Sequence, residues 1–224
     1  MCTATWLMQA DSYELFCNRD ESRKRRPALP PALLQRAGVN YIAPIDADAG
    51  GSWIAVNESG LSLCLLNYYP TIGQEPSTIS PPSRGLLLIS LINQRSPSVD
   101  PTALEAYRPF LLLVLAPRQE PRLWCWNGRN LESETPQMPV TTSSFDPERV
   151  VAHRRAMFTR VQGEAYHVSH DPAGGAYSVC MTRADAQTVS FSHIIVGPEQ
   201  IEFEYKSLAP EEIATRMSLL RKNW

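Results

Sequence analysis

The chain opens on two short apolar-rich runs, Thr3 to Gln9 and Tyr13 to Asn18, separated by Ala10-Asp11-Ser12. Their length and the turn residues between them predict a hairpin of two strands. A second hairpin is predicted where Trp53-Ile54-Ala55-Val56 and Leu61 to Leu66 flank Asn57-Glu58-Ser59-Gly60, with Gly60 supplying the positive φ of the turn. Gly50-Gly51 just before it predicts a bend or a tight backbone approach. Residues 70 to 82 are rich in Pro, Ser and Thr and read as a loop, after which Ser83 caps a helix running through Gln94.

Asp100-Pro101 predicts a second short helix, and Phe110 to Ala116 with Arg122 to Trp126 a strand pair. Asp146-Pro147-Glu148 opens a helix to about Arg160, and Ser178 to Thr182 and Thr188 to Val196 read as strands. Pro210-Glu211-Glu212 then predicts a closing helix with Ile213, Met217 and Leu220 on its apolar face. Strands lead, helices fill the middle, and no repeat is visible. That order predicts an α+β layered sandwich in one domain over residues 1–224 rather than a regular βαβ alternation.

Composition narrows the function classes. Hydrophobic residues make up 43% and charged residues 20% of 224 residues, enough for a sizeable core under an ordinary soluble surface. A formal charge of -2 gives no reason to expect nucleic acid or an anionic membrane as partner. The longest strongly apolar run, Phe110 to Ala116, is too short to span a bilayer, and Asp11 and Glu14 interrupt any signal-peptide pattern, so a cytoplasmic location is expected. The basic run Ser22-Arg23-Lys24-Arg25-Arg26 reads as a solvated loop. Five scattered cysteines exclude a disulfide framework and a structural zinc site. Cys17, Cys64, Cys125 and Cys180 read as core thiols.

Cys2 differs by position. Removal of Met1 before so small a residue makes cysteine the first residue, with a nucleophile and an α-amino base together. Asn18-Arg19-Asp20-Glu21 ends the strand paired with the one starting at Cys2, where a guanidinium lowers a thiol pKa and a carboxylate orients an amine. Asn67, at the end of the second hairpin, offers an amide to a developing oxyanion. His167 and His170 are three apart in a predicted strand or loop, a spacing that points them away from each other and from shared metal or haem ligation. Trp124 and Trp126 share a strand face and read as packing.

Met1-Cys2, Asn18-Arg19-Asp20-Glu21 and Gly50-Gly51-Ser52-Trp53 together resemble the NRDE family, whose eukaryotic members are called transport and Golgi organization protein 2. Asn57 to Leu61 and Leu66-Asn67-Tyr68 are also similar to the cysteine N-terminal-nucleophile hydrolases of bile-salt and penicillin V amides. The resemblance implies an αββα sandwich of two antiparallel sheets between helix layers. It also implies Cys2 as nucleophile, Asn67 at the oxyanion and Arg183 as a late site arginine. Read without a gap, the hydrolases' arginine falls on Asn18 and their aspartate on Glu21; slips of one residue in opposite directions give Arg19 and Asp20. Their second asparagine would fall near Thr142-Ser143-Ser144, which holds none.

The expected function is hydrolysis of a small-molecule amide or related acyl bond, with no cofactor and no metal. The alternative on the same fold is a carrier of haem or an acyl-type hydrophobic ligand, a reading in line with the family's link to haem handling and lipid metabolism. Self-association into a homo-oligomer is left open.

Overall fold

The protein is described by a computed structural model over residues 2–70, 81–208 and 211–222. Its strands are β1 Cys2–Met8, β2 Tyr13–Ser22, β3 Leu29–Arg36, β4 Val39–Ile45, β5 Ile54–Asn57, β6 Ser62–Asn67 and β7 Phe110–Leu115. They continue as β8 Arg122–Trp126, β9 Leu131–Glu134, β10 Val140–Thr142, β11 Ala186–Val196, β12 Gln200–Ser207 and β13 Ile213–Leu220. Three α-helices are described, α1 Arg84–Leu91, α2 Pro147–Phe158 and α3 Gly163–His167, with a 3-10 turn at Pro101–Leu104. The strands form two antiparallel sheets, in the orders β10-β1-β2-β11-β12-β13 and β3-β4-β5-β6-β7-β8-β9.

Two apolar layers explain why several strands read as unbroken hydrophobic runs. Ile54, Val56, Cys64, Leu66, Leu113 and Leu115 face the other sheet, where they meet Ala4, Leu15, Cys17 and Ile194. The alternate residues Ala55, Leu63, Leu65, Leu112 and Val114 face outward and are covered by Leu87, Leu88 and Leu91 of α1. Both sides of the seven-stranded sheet are therefore buried, so neither side calls for polar residues. On the other flank α2 packs on β10 and α3 on β2 and β1. The layering is helix, sheet, sheet, helix, and no described helix is long and apolar enough to cross a membrane.

Both predicted hairpins are present, with β1 paired to β2 and β5 to β6. Gly60 adopts φ +84 at the second turn, where a Cβ would meet Val196 Cγ1 at 2.8 Å. Gly51 is the tight approach: a Cβ there would lie 2.3 Å from the backbone of Gly85. Ser52 N–H donates to Gly85 O at 3.2 Å, so two glycines let the start of α1 lock onto the bend before β5.

The closing helix predicted from Ile213 is instead the edge strand β13. Thr215, Met217 and Leu219 are half-buried and alternate with exposed neighbours, a period of two. Pairing with β12 outweighs the chance helical spacing of Ile213, Met217 and Leu220. Pro210 of that prediction, and residues 71–80 of the predicted loop, lie outside the described residues. Ser178 to Thr182 is not a strand; only Thr182 bridges, to Gln187. β3, β4, β9, β10 and β12 carried no prediction. In β3 the prolines hid an edge strand, whose register shifts between Leu29 and Ala32 around Pro30 and Pro31. Cys125 is half-buried rather than in the core.

A polar knot ties α3 to the six-stranded sheet. Asn18 Nδ2 donates to His167 O at 2.8 Å and Val179 O at 3.1 Å, leaving Asn18 Oδ1 to accept from His167 Nδ1 at 3.1 Å. His167 Nε2 then accepts from Thr5 Oγ1 at 2.8 Å. His167 thus ends a helix rather than lying in a strand or loop, and both ring nitrogens are engaged. Burial is the main force holding its pKa down at about 3, with His193 and Arg154 adding repulsion. The unfolded chain takes up this proton below about pH 6.5 while the folded one resists, so its contribution is complete above 6.5 and is lost as pH falls. Between pH 6.5 and 5, stability should decline by up to about 1.4 kcal/mol per pH unit from this group. Urea melts of His167→Gln should show a flatter slope in that window than the parent; equal slopes would contradict the assignment.

Candidate active site

β1 lies between β2 and β10, and its first described residue is paired on both sides: Cys2 with Arg19 and with Thr142. Directly opposed residues of antiparallel strands share a face, so Arg19, Cys2 and Thr142 form a row facing the other sheet. Cys2 and Arg19 of this row border a cavity of about 260 Å³ lined also by Asp20, Glu21, Asp46, Trp53, Asn67 and the start of α1. The two hairpins belong to different sheets, so Cys2 and Asn67 line the cavity from opposite layers. Asn67 follows the alternation of Leu63 and Leu65, borders the cavity where β6 ends, and hydrogen-bonds Tyr69.

Alternation splits the tetrapeptide. Arg19 and Glu21 lie on the cavity face, joined by an ion pair of 3.2 Å. Arg19 also pairs with Asp46 at 3.0 Å and sits over the Trp53 ring at 4.1 Å. Asn18 turns to the helix side and is spent in the His167 knot, so of the two arginine registers left open only the Arg19 one puts a guanidinium at the cavity. Asp20 is buried, and its Oδ1 accepts from Thr188 Oγ1 at 2.7 Å. β11 bulges between Thr188 and Ser190, opposite Asp20 and Arg19, which aims Thr188 at that carboxylate.

Arg183 lies outside the described cavity lining. It pairs with Asp185 at 2.9 Å and sits over Phe145 at 5.2 Å. Arg154 of α2, fully buried behind the cavity, contacts Asp20 instead, with Nη1 at 2.9 Å from Thr3 Oγ1 and 3.6 Å from Asp20 Oδ2. Its Nη2 donates to Ser178 O at 2.7 Å, holding the segment before β11 against the sheet. The sequence did contain the signal: Arg154 falls on the buried stripe Val150, Arg154, Met157 of an otherwise polar helix. A buried guanidinium on such a stripe requires partners.

The basic run is an exposed loop, as expected, but two of its arginines are tied down by carboxylates. Arg25 Nη2 meets both Asp46 oxygens at 2.7 Å, and Arg26 Nε meets Asp48 Oδ1 at 2.6 Å. Arg25 and Asp46 build one wall of the cavity.

Cys2 is buried, 5% exposed, rather than open to solvent. Burial pushes its thiol up to about 12; the chain's amino-terminal charge offsets part of this, while Cys17 and Asp20 add to it. Arg19, spent on Asp46 and Glu21, does not supply the lowering expected of it. Thr142 Oγ1 is also buried and accepts or donates no hydrogen bond among the described residues. It lines a second cavity of about 510 Å³ with Tyr68, Tyr69, Leu111, Leu123 and Val140.

The family model described as Transport and Golgi organisation 2 matches residues 1–201. No curated protein sequence matches the chain. Among solved structures, the fold is similar to a C2A mutant of conjugated bile acid hydrolase from Clostridium perfringens, with TM-score 0.55, 12% identity and coverage of 99% of this chain and 97% of that one. It is similar to penicillin V acylase from Agrobacterium tumefaciens, with TM-score 0.57, 10% identity and coverage of 97% and 86%. It is also similar to a Caenorhabditis elegans ortholog of N-acylethanolamine-hydrolyzing acid amidase, with TM-score 0.56, 9% identity and coverage of 87% and 92%. These establish the N-terminal-nucleophile hydrolase fold.

A thiol pKa near 12 leaves about one thiolate in 10⁵ at pH 7. Iodoacetamide labelling of Cys2, followed by peptide mapping, should therefore rise about tenfold per pH unit from pH 7 to 10 without levelling. A plateau below pH 8 would show a stabilised thiolate and refute this.

Proposed function

The chain belongs to the Transport and Golgi organisation 2 family, and from that premise we propose that it hydrolyses an amide or related acyl bond with Cys2 as nucleophile. The observation that carries the reading is the position of Cys2: at the start of an interior strand, paired with Arg19, beside a cavity that Asp20 and Asn67 also line. Removal of Met1 frees an α-amino group on the residue that carries the thiol. Because the thiol is protonated at neutral pH, the amine must take its proton as Sγ attacks the carbonyl carbon. The resulting ammonium returns a proton to the leaving nitrogen as the C–N bond breaks. Water then attacks the thioester, the amine accepts its proton, and the acid departs as the thiol is restored.

Asp20 orients the amine in this scheme, and Arg154 fixes Asp20 from behind. Arg19 and Glu21 hold the wall. The Asn67 amide and the Thr142 hydroxyl supply hydrogen bonds to the oxyanion, Thr142 standing where the hydrolases' second asparagine is absent. Arg183 has no part. The second cavity, with its tyrosine and leucine lining, accepts the acyl moiety. No cofactor enters. The amide or acyl bond is carried over from the fold neighbours, which by their names act on conjugated bile acids, penicillin V and N-acylethanolamines. A carrier of haem or an acyl-type ligand is the second reading, favoured by the high thiol pKa, since a protonated thiol is a poor nucleophile.

Intact-mass measurement of protein from its native host should show Met1 removed, and retention of Met1 throughout would exclude the amine as base. Against a panel of N-acyl amides, Cys2→Ala should abolish turnover while its melting temperature stays close to the parent's; undiminished turnover would refute the nucleophile, and ligand binding without turnover in the processed parent would establish the carrier.

Thr142→Val keeps shape and removes the hydroxyl. It should lower kcat roughly 10- to 100-fold with little change in KM, because the bond it removes is made in the transition state. An unchanged kcat would dismiss Thr142 from the site.

A further inference from the structure

The cavity beside Cys2 is lined by four arginines and three carboxylates, and the charges are not evenly spread. Arg19 and Arg25 share Asp46 and Glu21 on one wall, where each cation is held by ion pairs of 2.7 to 3.7 Å. Arg84, the first residue of α1, and Arg108, two residues before β7, line the same cavity. Neither makes an ion pair with a described carboxylate. Arg84 is half-buried and spends Nη1 on Pro109 O at 2.8 Å. Desolvation is the main cause that lowers its pKa; the nearby Arg108 adds repulsion, while Tyr69, the Cys2 sulfur and the more distant Glu21 carboxylate act the other way without an ion pair to it. Two guanidiniums that repel each other, one partly stripped of water, are costly in a cavity unless an anion joins them. A planar guanidinium is also the side chain best shaped for a carboxylate or phosphate.

We propose that Arg84 and Arg108 form an anion subsite, and that the substrate is an acyl compound carrying a carboxylate or phosphate a few bonds from the scissile carbonyl. The cleavage rests on the Cys2 reading; the subsite rests on the arginines alone. The Gly51–Gly85 contact serves this subsite, because it fixes the start of α1, and with it Arg84, against the bend before β5. The neutral head of an N-acylethanolamine would leave both cations unanswered, so this chain departs in charge preference from the fold neighbour named for that substrate.

Binding separates the two claims, because Cys2→Ala protein cannot turn the ligand over. Isothermal titration of that variant with N-decanoylethanolamine, N-decanoylglycine and N-decanoyl-O-phosphoethanolamine compares a neutral, a carboxylate and a phosphate head on one chain. One or both anionic ligands should bind roughly tenfold or more tightly than the neutral one, and which of them does so distinguishes carboxylate from phosphate. The advantage should shrink with added NaCl and collapse when Arg84→Gln or Arg108→Gln is added, while Arg84→Lys keeps part of it. Arg108 is exposed, so its substitution tests the subsite even where loss of the Arg84–Pro109 bond unfolds the chain. Equal affinity for all three ligands, no binding of any, or an anion advantage that survives both substitutions would overturn the subsite. Anion preference without turnover in processed parent protein would overturn the hydrolase and leave the subsite standing.

Discussion

The double pairing of β1 governs the rest of the molecule. A chain start is ordinarily free to fray, yet here Cys2 is laddered to Arg19 on one side and Thr142 on the other. Those ladders fix which side chains share its face. They bring a residue 17 positions away and one 140 positions away into a single row, and they hold the thiol where the second sheet closes over it. Burial follows, and with burial the high thiol pKa. A chemistry that relied on a preformed thiolate would have to fight this environment, whereas one that moves the proton to an adjacent amine does not.

Buried charge is the second organising theme. Arg154 has no exposed side chain, and its bonds run to Thr3, Thr141 and the carbonyls of the segment before β11. Removing its partners one at a time would leave a cation in an apolar layer, which is why it behaves as a clamp between α2, β1 and β10. Arg19 is handled differently, by Asp46, Glu21 and the face of Trp53. Arg84 and Arg108, in the same cavity, make no ion pair with a described carboxylate. The contrast within one cavity, rather than its net charge, gives the site a polarity.

Much of this was legible in the chain. Turn residues and apolar runs located both hairpins, the central strand pair and α2, because those elements depend on neighbours a few residues apart. Position two and the tetrapeptide put Cys2 opposite Arg19, since a hairpin of fixed length forces its first residue opposite its last. The misses share a cause. β13 has helical spacing and becomes a strand only because β12 offers a ladder; Arg183 matches by order along the chain, but Arg154 arrives by packing. Cys125 looks like a core thiol, but the face of β8 it shares with Leu123 lines the second cavity and leaves it half-buried.

The sequence by itself determined the local grammar: where strands turn, where helices start, and which residue stands first once Met1 is gone. Tertiary structure alone decided that Asn67 lines the same cavity as Cys2 from the opposite sheet, that Thr142 completes the row, and that burial raises the thiol pKa. Those outcomes depend on burial and on contacts between residues far apart in sequence. The desolvation of a group is a property of everything packed around it, and no window along the chain contains that information.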